Sequence, residues 1–310
     1  MDKPDDGAVS EELALAIESW PRLSAPGRQG SSISSWTTIL GPSQVLVLPQ
    51  FLPVQDTRAL LDYLNHWMKL EIDDKLDPTQ PRPKNVPRPG YAFRDNDRVQ
   101  MDSPDFARML WQKCGLADRW RELWMDPKSG LETTQGHCIT SGARNNKRVR
   151  HAVGLNRNIR LYRYQNGQSF GAHYDESITD PEDGTVSEYT VLIYLNGEKD
   201  SDLTGGETVF YPKGKKNPVS ATSSAKRGGA TASKRGGAAK LETNKTFQSS
   251  SSPTASSSLS HELPNGGIAV KPDRGLLLVH RHGDECMLHE ALIVQQGYKY
   301  VLRTDIMYEP

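Results

Sequence analysis

The sequence predicts an α+β domain with a β-sandwich or jelly-roll core. Two observations carry that expectation. Early in the chain apolar residues recur at three- and four-residue spacing, as on one face of a helix. From about residue 159 the period changes to short β-branched or aromatic runs, nearly all punctuated by Gly, Asn, Asp or Pro. Helices first and many short strands afterwards is the order expected of a sheet core with helices segregated to one side.

Residues 44–48 (QVLVL) read as a strand. Residues 55–70 place Leu60, Leu61, Leu64, Trp67 and Met68 on one helical face. A second amphipathic helix is expected over 104–123, with Pro104 early, where a missing N–H costs nothing. Strands are expected over 159–164, 189–195, 207–211, 267–270, 275–280, 290–294 and 298–308.

Composition sets the boundaries. The chain has 310 residues, with 38 Lys+Arg against 38 Asp+Glu. Zero net charge excludes a uniformly basic nucleic-acid binder, but it hides an asymmetry: residues 213–264 hold nine basic and two acidic residues. The same stretch repeats a phrase, at Ala225–Ala230 and Ser233–Ala238, and has few large apolar side chains. It cannot bury enough surface to offset the entropy of ordering. It is expected to be a disordered insertion in one domain spanning 36–310, since a long surface loop adds little closure entropy. Residues 1–35 are expected to be weakly ordered, apart from a short helix near 10–20. One Lys against six acidic residues through position 18 does not make a secretory signal. Apolar runs stop short of the roughly 20 residues of a membrane span. Cys114, Cys138 and Cys286 form no C-x-x-C pair, which points to a reducing compartment, cytoplasmic or nuclear.

Two regions carry chemistry. In Gly171-Ala-His173-Tyr-Asp175, residues two apart share a face if the backbone is extended, so an imidazole and a carboxylate are presented together. Alone, such a pair is a common surface or core arrangement. The second region, Val279 to His289, holds His280, His282 and His289. His289 is the best ligand candidate, because a fresh strand begins there; His280 and His282 read as supporting or surface residues. A zinc site using Cys286 lacks a second nearby cysteine. Two His and one carboxylate suit a six-coordinate ferrous ion with open positions for a chelating 2-oxo acid and dioxygen. A cation must then hold the far carboxylate of that acid. Lys299 and Arg303 share a strand face about 13 Å apart, so one of them serves and the other does not; both can equally be outward strand charges.

Taken together, His173-x-Asp175, Gly205-Gly206-Glu207-Thr208, and His289 followed ten residues later by Lys299 resemble the iron(II)/2-oxoglutarate dioxygenases, nearest the prolyl 4-hydroxylase-like branch. Arg94 to Arg98, Val153 to Tyr164 and Lys299 to Asp305 resemble a plant and microbial group of that superfamily. The resemblance runs from about residue 85 to 308 outside the insertion. It implies a double-stranded β-helix with flanking N-terminal helices. It implies iron on His173, Asp175 and His289, and the 2-oxoglutarate C5 carboxylate on Lys299, with Arg303 second choice. Tyr164 and Thr208 are implied to line the co-substrate, and Arg94, Asn96 and Arg98 the substrate entrance. Implied cofactors are Fe(2+), 2-oxoglutarate and O2, with ascorbate as reductant. The implied reaction hydroxylates a protein side chain, with prolyl the candidate that branch suggests, or a small molecule, releasing succinate and CO2. Two departures weigh against peptidyl proline: His289-Glu-Ala-Leu-Ile replaces His-x-Gly-x-Pro, and Tyr300 stands where Trp is usual after the lysine.

Two other readings compete. A jelly-roll that binds without catalysis would bind no ferrous ion. A nucleic-acid demethylase has the basic insertion as its sole support, and a basic loop of this kind more often serves as a solvated tract; nucleic acid is therefore not the expected partner. The acidic turn Asp180–Asp183 is a further candidate for a specificity loop.

Overall fold

The computed structural model describes residues 20–24, 35–41, 43–69, 73, 86, 90–125, 138–141, 148–199, 201–212 and 259–310. Its strands are β1 (Thr37–Leu40), β2 (Val45–Leu48), β3 (Asp97–Asp102), β4 (Cys138–Ser141), β5 (Arg148–Leu155), β6 (Asn158–Gln165), β7 (Phe170–His173), β8 (Val186–Tyr194), β9 (Thr204–Gly205), β10 (Thr208–Tyr211), β11 (Ser260–Glu262), β12 (Ile268–Val270), β13 (Leu277–Arg281), β14 (Leu288–Ala291), β15 (Val294–Gln296) and β16 (Tyr298–Tyr308). The helices are α1 (Val54–Met68), α2 (Pro104–Arg108) and α3 (Leu116–Met125), with a π-helical turn at Met109–Lys113.

The fold is a double-stranded β-helix. A major sheet runs β1-β2-β13-β8-β16-β5-β4, with β6 also on β16 and β3 on β6; a minor sheet runs β11-β12-β10-β14-β7. Strand alternation gives the major sheet two different faces. Val99, Met101, Ile159, Leu161, Tyr300, Leu302 and Ile306 point outward and pack with Leu60, Leu64, Trp67, Phe106 and Trp120 of the helical layer. Tyr162, Tyr164, Tyr194 and Val301 point inward and pack with Phe210, Ala291 and Val294 from the minor-sheet side. Each large side chain fully removed from water contributes roughly 1.5–3 kcal/mol, so the helices hold one face of the sheet and leave the other to form the site.

Several expectations need correction. The 104–123 helix is two helices and a π turn. Ser103 Oγ accepts the Phe106 N–H at 3.4 Å to start α2, and Gly115, at φ 75°, ends the run in the left-handed region that glycine tolerates. The 290–294 strand is two pieces: β14 pairs with β10, whereas β15 pairs with β9. Trp20–Ser24, within the expected loose N-terminus, is docked: the Trp20 ring stacks on Phe106 at 3.6 Å, and Ser24 N–H donates to Asp56 at 2.8 Å. The expected disordered span 213–264 ends too late, because Ser260–Glu262 pair with β12. Residues 213–258, and the helix expected near 10–20 apart from Trp20, lie outside the described residues.

Candidate metal centre and co-substrate pocket

The three expected ligands meet between the sheets. His173 ends β7 and His289 lies in β14, where the two are directly paired across the strands. Asp175 lies just past the strand and turns back, its N–H donated to Cys286 Sγ at 3.3 Å. One ligand atom from each of His173, Asp175 and His289 lies within 4.8 Å of the others. The Asp175 oxygens are 3.7 Å from His173 Nε2 and 3.6 Å from His289 Nε2. Two donors on opposite sides of an ion with bonds of about 2.1 Å would be about 4.2 Å apart, so these separations can enclose one.

Protonation is prepared for a metal. His173 Nδ1 lies 2.9 Å from the Gly171 carbonyl and His289 Nδ1 2.9 Å from the Met287 carbonyl. A carbonyl only accepts, so each Nδ1 carries the proton and each Nε2 offers a lone pair to the centre. Burial, with His289 adding to it, pushes His173 down to about 4; burial lowers His289 too. Burial alone would raise Asp175, but Arg303 and then the imidazoles outweigh it and hold the carboxyl below the usual range. A third imidazole, His280, is buried with Nε2 3.5 Å from Asp175 Oδ2. That nitrogen has no hydrogen-bond partner among the described residues. Lone pairs of neutral imidazoles facing a buried carboxylate are the donor set a divalent ion fits.

The two candidate clamps are resolved into different environments. Arg303 faces Asp175, Nη1 to Oδ1 at 3.1 Å. Lys299 is 2% exposed and donates to the Gly206 carbonyl at 2.6 Å. Its ammonium sits 5.0 and 5.5 Å from the Tyr164 and Tyr194 ring centroids. Burial pushes it down to about 7, against the pull of Glu207. Gly206, at φ 74°, lets the lysine pass: a Cβ there would lie 3.1 Å from Lys299 Cδ. Thr208 Oγ1 and Tyr194 Oη share a hydrogen bond of 2.7 Å. His173, Asp175, His289, Tyr164, Thr208, Lys299 and Arg303 all line one pocket.

Other expectations fall elsewhere. Asn96 is buried and donates to the Asp97 carbonyl. Asp180, Glu182 and Asp183 line a separate cleft with Pro104, Trp111 and Arg157. Cys286 is buried against the site: one atom each of His280, Cys286 and His289 lies within 4.8 Å of the others. His289 Nδ1 is committed to Met287, and Cys286 Sγ donates to that same carbonyl. The residues missed by sequence reasoning are Thr190 and Tyr162. His282, read as a supporting or surface residue, is buried and linked to the centre through Thr190. Alternation along β8 was the available signal for Thr190.

Residues 159–304 match the family model described as 2OG-Fe(II) oxygenase superfamily. That match covers a little under half of the chain. A search of curated proteins returned no match. Among solved structures, the chain is similar to a viral collagen prolyl hydroxylase from Paramecium Bursaria Chlorella virus-1 in a 2OG complex (13% identity, 86% of this chain and 97% of that chain, TM-score 0.37). It is also similar to a Pseudomonas putida prolyl-4-hydroxylase (15% identity, 88% and 92%, TM-score 0.37). A third is HygX from Streptomyces hygroscopicus with nickel and 2-oxoglutarate bound (11% identity, 87% and 83%, TM-score 0.39). At these scores the structural likeness carries no argument, and the similarity to the superfamily rests on the match over residues 159–304.

Proposed function

We propose that the protein is an iron(II)- and 2-oxoglutarate-dependent dioxygenase that hydroxylates a C–H bond of a protein side chain or small molecule, releasing succinate and CO2. The observation that carries this reading is the pairing of two Nε2 lone pairs and a carboxylate with a buried ammonium in one cavity. His173, Asp175 and His289 would hold the iron, and Lys299 the C5 carboxylate of 2-oxoglutarate. When bound, the ferrous ion with its co-substrate supplies the oxidising power that side chains lack.

The chain's own residues bind, orient and exclude water. The backbone carbonyls of Gly171 and Met287 hold both imidazoles in the Nδ1–H tautomer. Arg303 and Thr190 hold the two Asp175 oxygens, at 3.1 and 2.8 Å. An ammonium whose hydrogen-bond partner is one neutral carbonyl is poorly compensated in an apolar wall. A carboxylate arriving at Lys299 makes a charge-assisted bond there. Tyr164 is buried, which keeps its phenol protonated and well above its ordinary range.

The test is succinate release from 2-oxoglutarate with ferrous ion and ascorbate, alongside mass spectrometry of candidate peptides and metabolites. Iron-dependent succinate formation, lost in His173→Ala and His289→Ala, is expected. Unchanged turnover in either variant removes the ligand assignment, and absence of ferrous-ion binding favours a non-catalytic module.

A further inference from the structure

The inner face of the major sheet holds more positive charge than metal and co-substrate binding use. Across β6 and β16, Tyr164 is opposite Lys299, Tyr162 opposite Val301, and Arg160 opposite Arg303. Strand β3 extends these rows, with Arg98 opposite Tyr162 and Gln100 opposite Arg160. Arg98 and Gln100 are exposed, whereas Val99 and Met101 on the other face are buried beneath the helices. Arginines therefore continue the face of the sheet beyond Tyr162, which lines the pocket. Arg94 joins from the neighbouring loop, its guanidinium 5.6 Å from the Phe170 ring centroid. Phe170 in turn stacks on His173 at 3.8 Å.

Among the described residues, Arg98 and Arg160 are only partly balanced. Arg303 meets Asp175, and both Arg303 and Arg160 lie 3.7 Å from Asp305. Arg98 donates to the neutral amide of Gln100. Arg98, exposed at its tip, is held below its usual range first by partial desolvation against the sheet and then, against Tyr162, by Arg94, Arg160 and Arg303. Like charges gathered beside a low-dielectric wall repel, and an incoming anion relieves them. A guanidinium fork suits carboxylate and phosphate alike. With strands about 4.8 Å apart and about 3.3 Å per residue, Arg98 stands about 12 Å from Lys299 between Cα atoms. One co-substrate carboxylate cannot occupy both places.

We propose that Arg98 and Arg160, flanked by Arg94, form a subsite for an anionic group, carboxylate or phosphate, on the substrate that is oxidised. This rests on the iron and 2-oxoglutarate reading above. The substrate then carries its charge toward β3 and presents its C–H bond toward His173.

The test uses full-length protein loaded with Mn(II) and N-oxalylglycine, an unreactive 2-oxoglutarate mimic, at low ionic strength. Proton line broadening by Mn(II) reads how N-acetylglutamate α-amide, its neutral isostere N-acetylglutamine α-amide and N-acetylphosphoserine α-amide, each with its α-carboxyl blocked, approach the metal. At least tenfold tighter binding of one anionic probe than of N-acetylglutamine α-amide is expected, and the tighter of the two separates carboxylate from phosphate. Arg98→Gln, on an exposed side chain, should shrink that preference severalfold, and Arg98→Gln with Arg160→Gln should abolish it, while N-oxalylglycine affinity stays within twofold. Equal broadening by charged and neutral probes overturns the proposal. So does a preference that survives both substitutions, or a matching loss of N-oxalylglycine affinity, which would assign the arginines to the co-substrate. Failure to take up Mn(II) and N-oxalylglycine at all is a separate result: it removes the underlying reading, and the subsite with it.

Discussion

Thr190 Oγ1 donates to Asp175 Oδ2 at 2.8 Å and lies 3.0 Å from His282 Nδ1. A hydroxyl has one proton, and Asp175 takes it, so His282 Nδ1 must donate to Thr190. His282 Nε2 is then an acceptor, and Ser187 Oγ, 3.0 Å away, donates to it. Ser187 Oγ can do so because it accepts from the Ile178 N–H at 2.9 Å. Each proton in this buried chain has one direction, and the chain ends on the carboxylate proposed to hold iron. Partners of metal ligands typically govern affinity by 10- to 100-fold. Thr190→Val should therefore weaken Mn(II) binding about tenfold by calorimetry, and His282→Phe by a similar factor. Because both act through one relay, the double variant should bind little worse than either single one. Fully additive losses would dissolve the relay.

Lys299 gives a pH signature. Its folded value near 7 lies below the roughly 10.4 of an unfolded lysine. Between about pH 7 and 10 the unfolded chain binds the extra proton, so stability rises with pH across that window. Chemical denaturation at pH 7, 8 and 9 should show the rise in the wild type and not in Lys299→Met. A carboxylate seated at Lys299 favours the charged form. N-oxalylglycine binding at pH 8 should then take up close to one proton, read from calorimetric heats in buffers of different ionisation enthalpy. Zero uptake at pH 8 would argue that the lysine is not the clamp.

Gly206 sets the room that Lys299 occupies. Its φ of 74° and the 3.1 Å approach of Lys299 Cδ to a notional Cβ make Gly206→Ala strained in backbone and crowded in side chain. That variant should lose at least tenfold in N-oxalylglycine affinity while retaining Mn(II) stoichiometry, since His173, Asp175 and His289 lie on other segments. Loss of metal as well would mean that the turn supports the whole centre.

What the sequence revealed follows from how each feature is encoded. The inward set on β16 was legible because alternation ties Lys299 to Arg303 at any register. Alternation alone does not choose between them; the resemblance puts Lys299 first, and the ion pair of Arg303 with Asp175 supports that proposal. The break at Gly115 was hidden inside an unbroken apolar period over 104–123. The split between β14 and β15 was hidden because one apolar run serves two sheets. His282 looked peripheral beside its neighbours, and its role depends on Thr190, ninety-two residues earlier. Trp20 was assigned to a loose terminus because nothing local marks Ser103 and Phe106 as its partners.

That docking makes the last prediction. Trp20 stacks on Phe106 with rings 18° apart, and its Nε1 donates to Ser103 Oγ at 3.1 Å. Ser103 is also the cap that starts α2, so one side chain seals both the ring and the helix start. Trp20 is half-buried, so Trp20→Ala should cost about 2 kcal/mol, somewhat less than the 3–5 of a fully buried aromatic. For a domain of this size that corresponds to a fall in Tm of about 4–8 °C. Trp20→Phe keeps the stack and loses the indole donor, and should recover more than half of the loss. Mn(II) affinity should be unchanged in both, because the helices pack on the face of the major sheet opposite the site. An unchanged Tm in Trp20→Ala would show that the segment contributes nothing to the fold, and altered metal affinity would show that the two faces of the sheet are coupled.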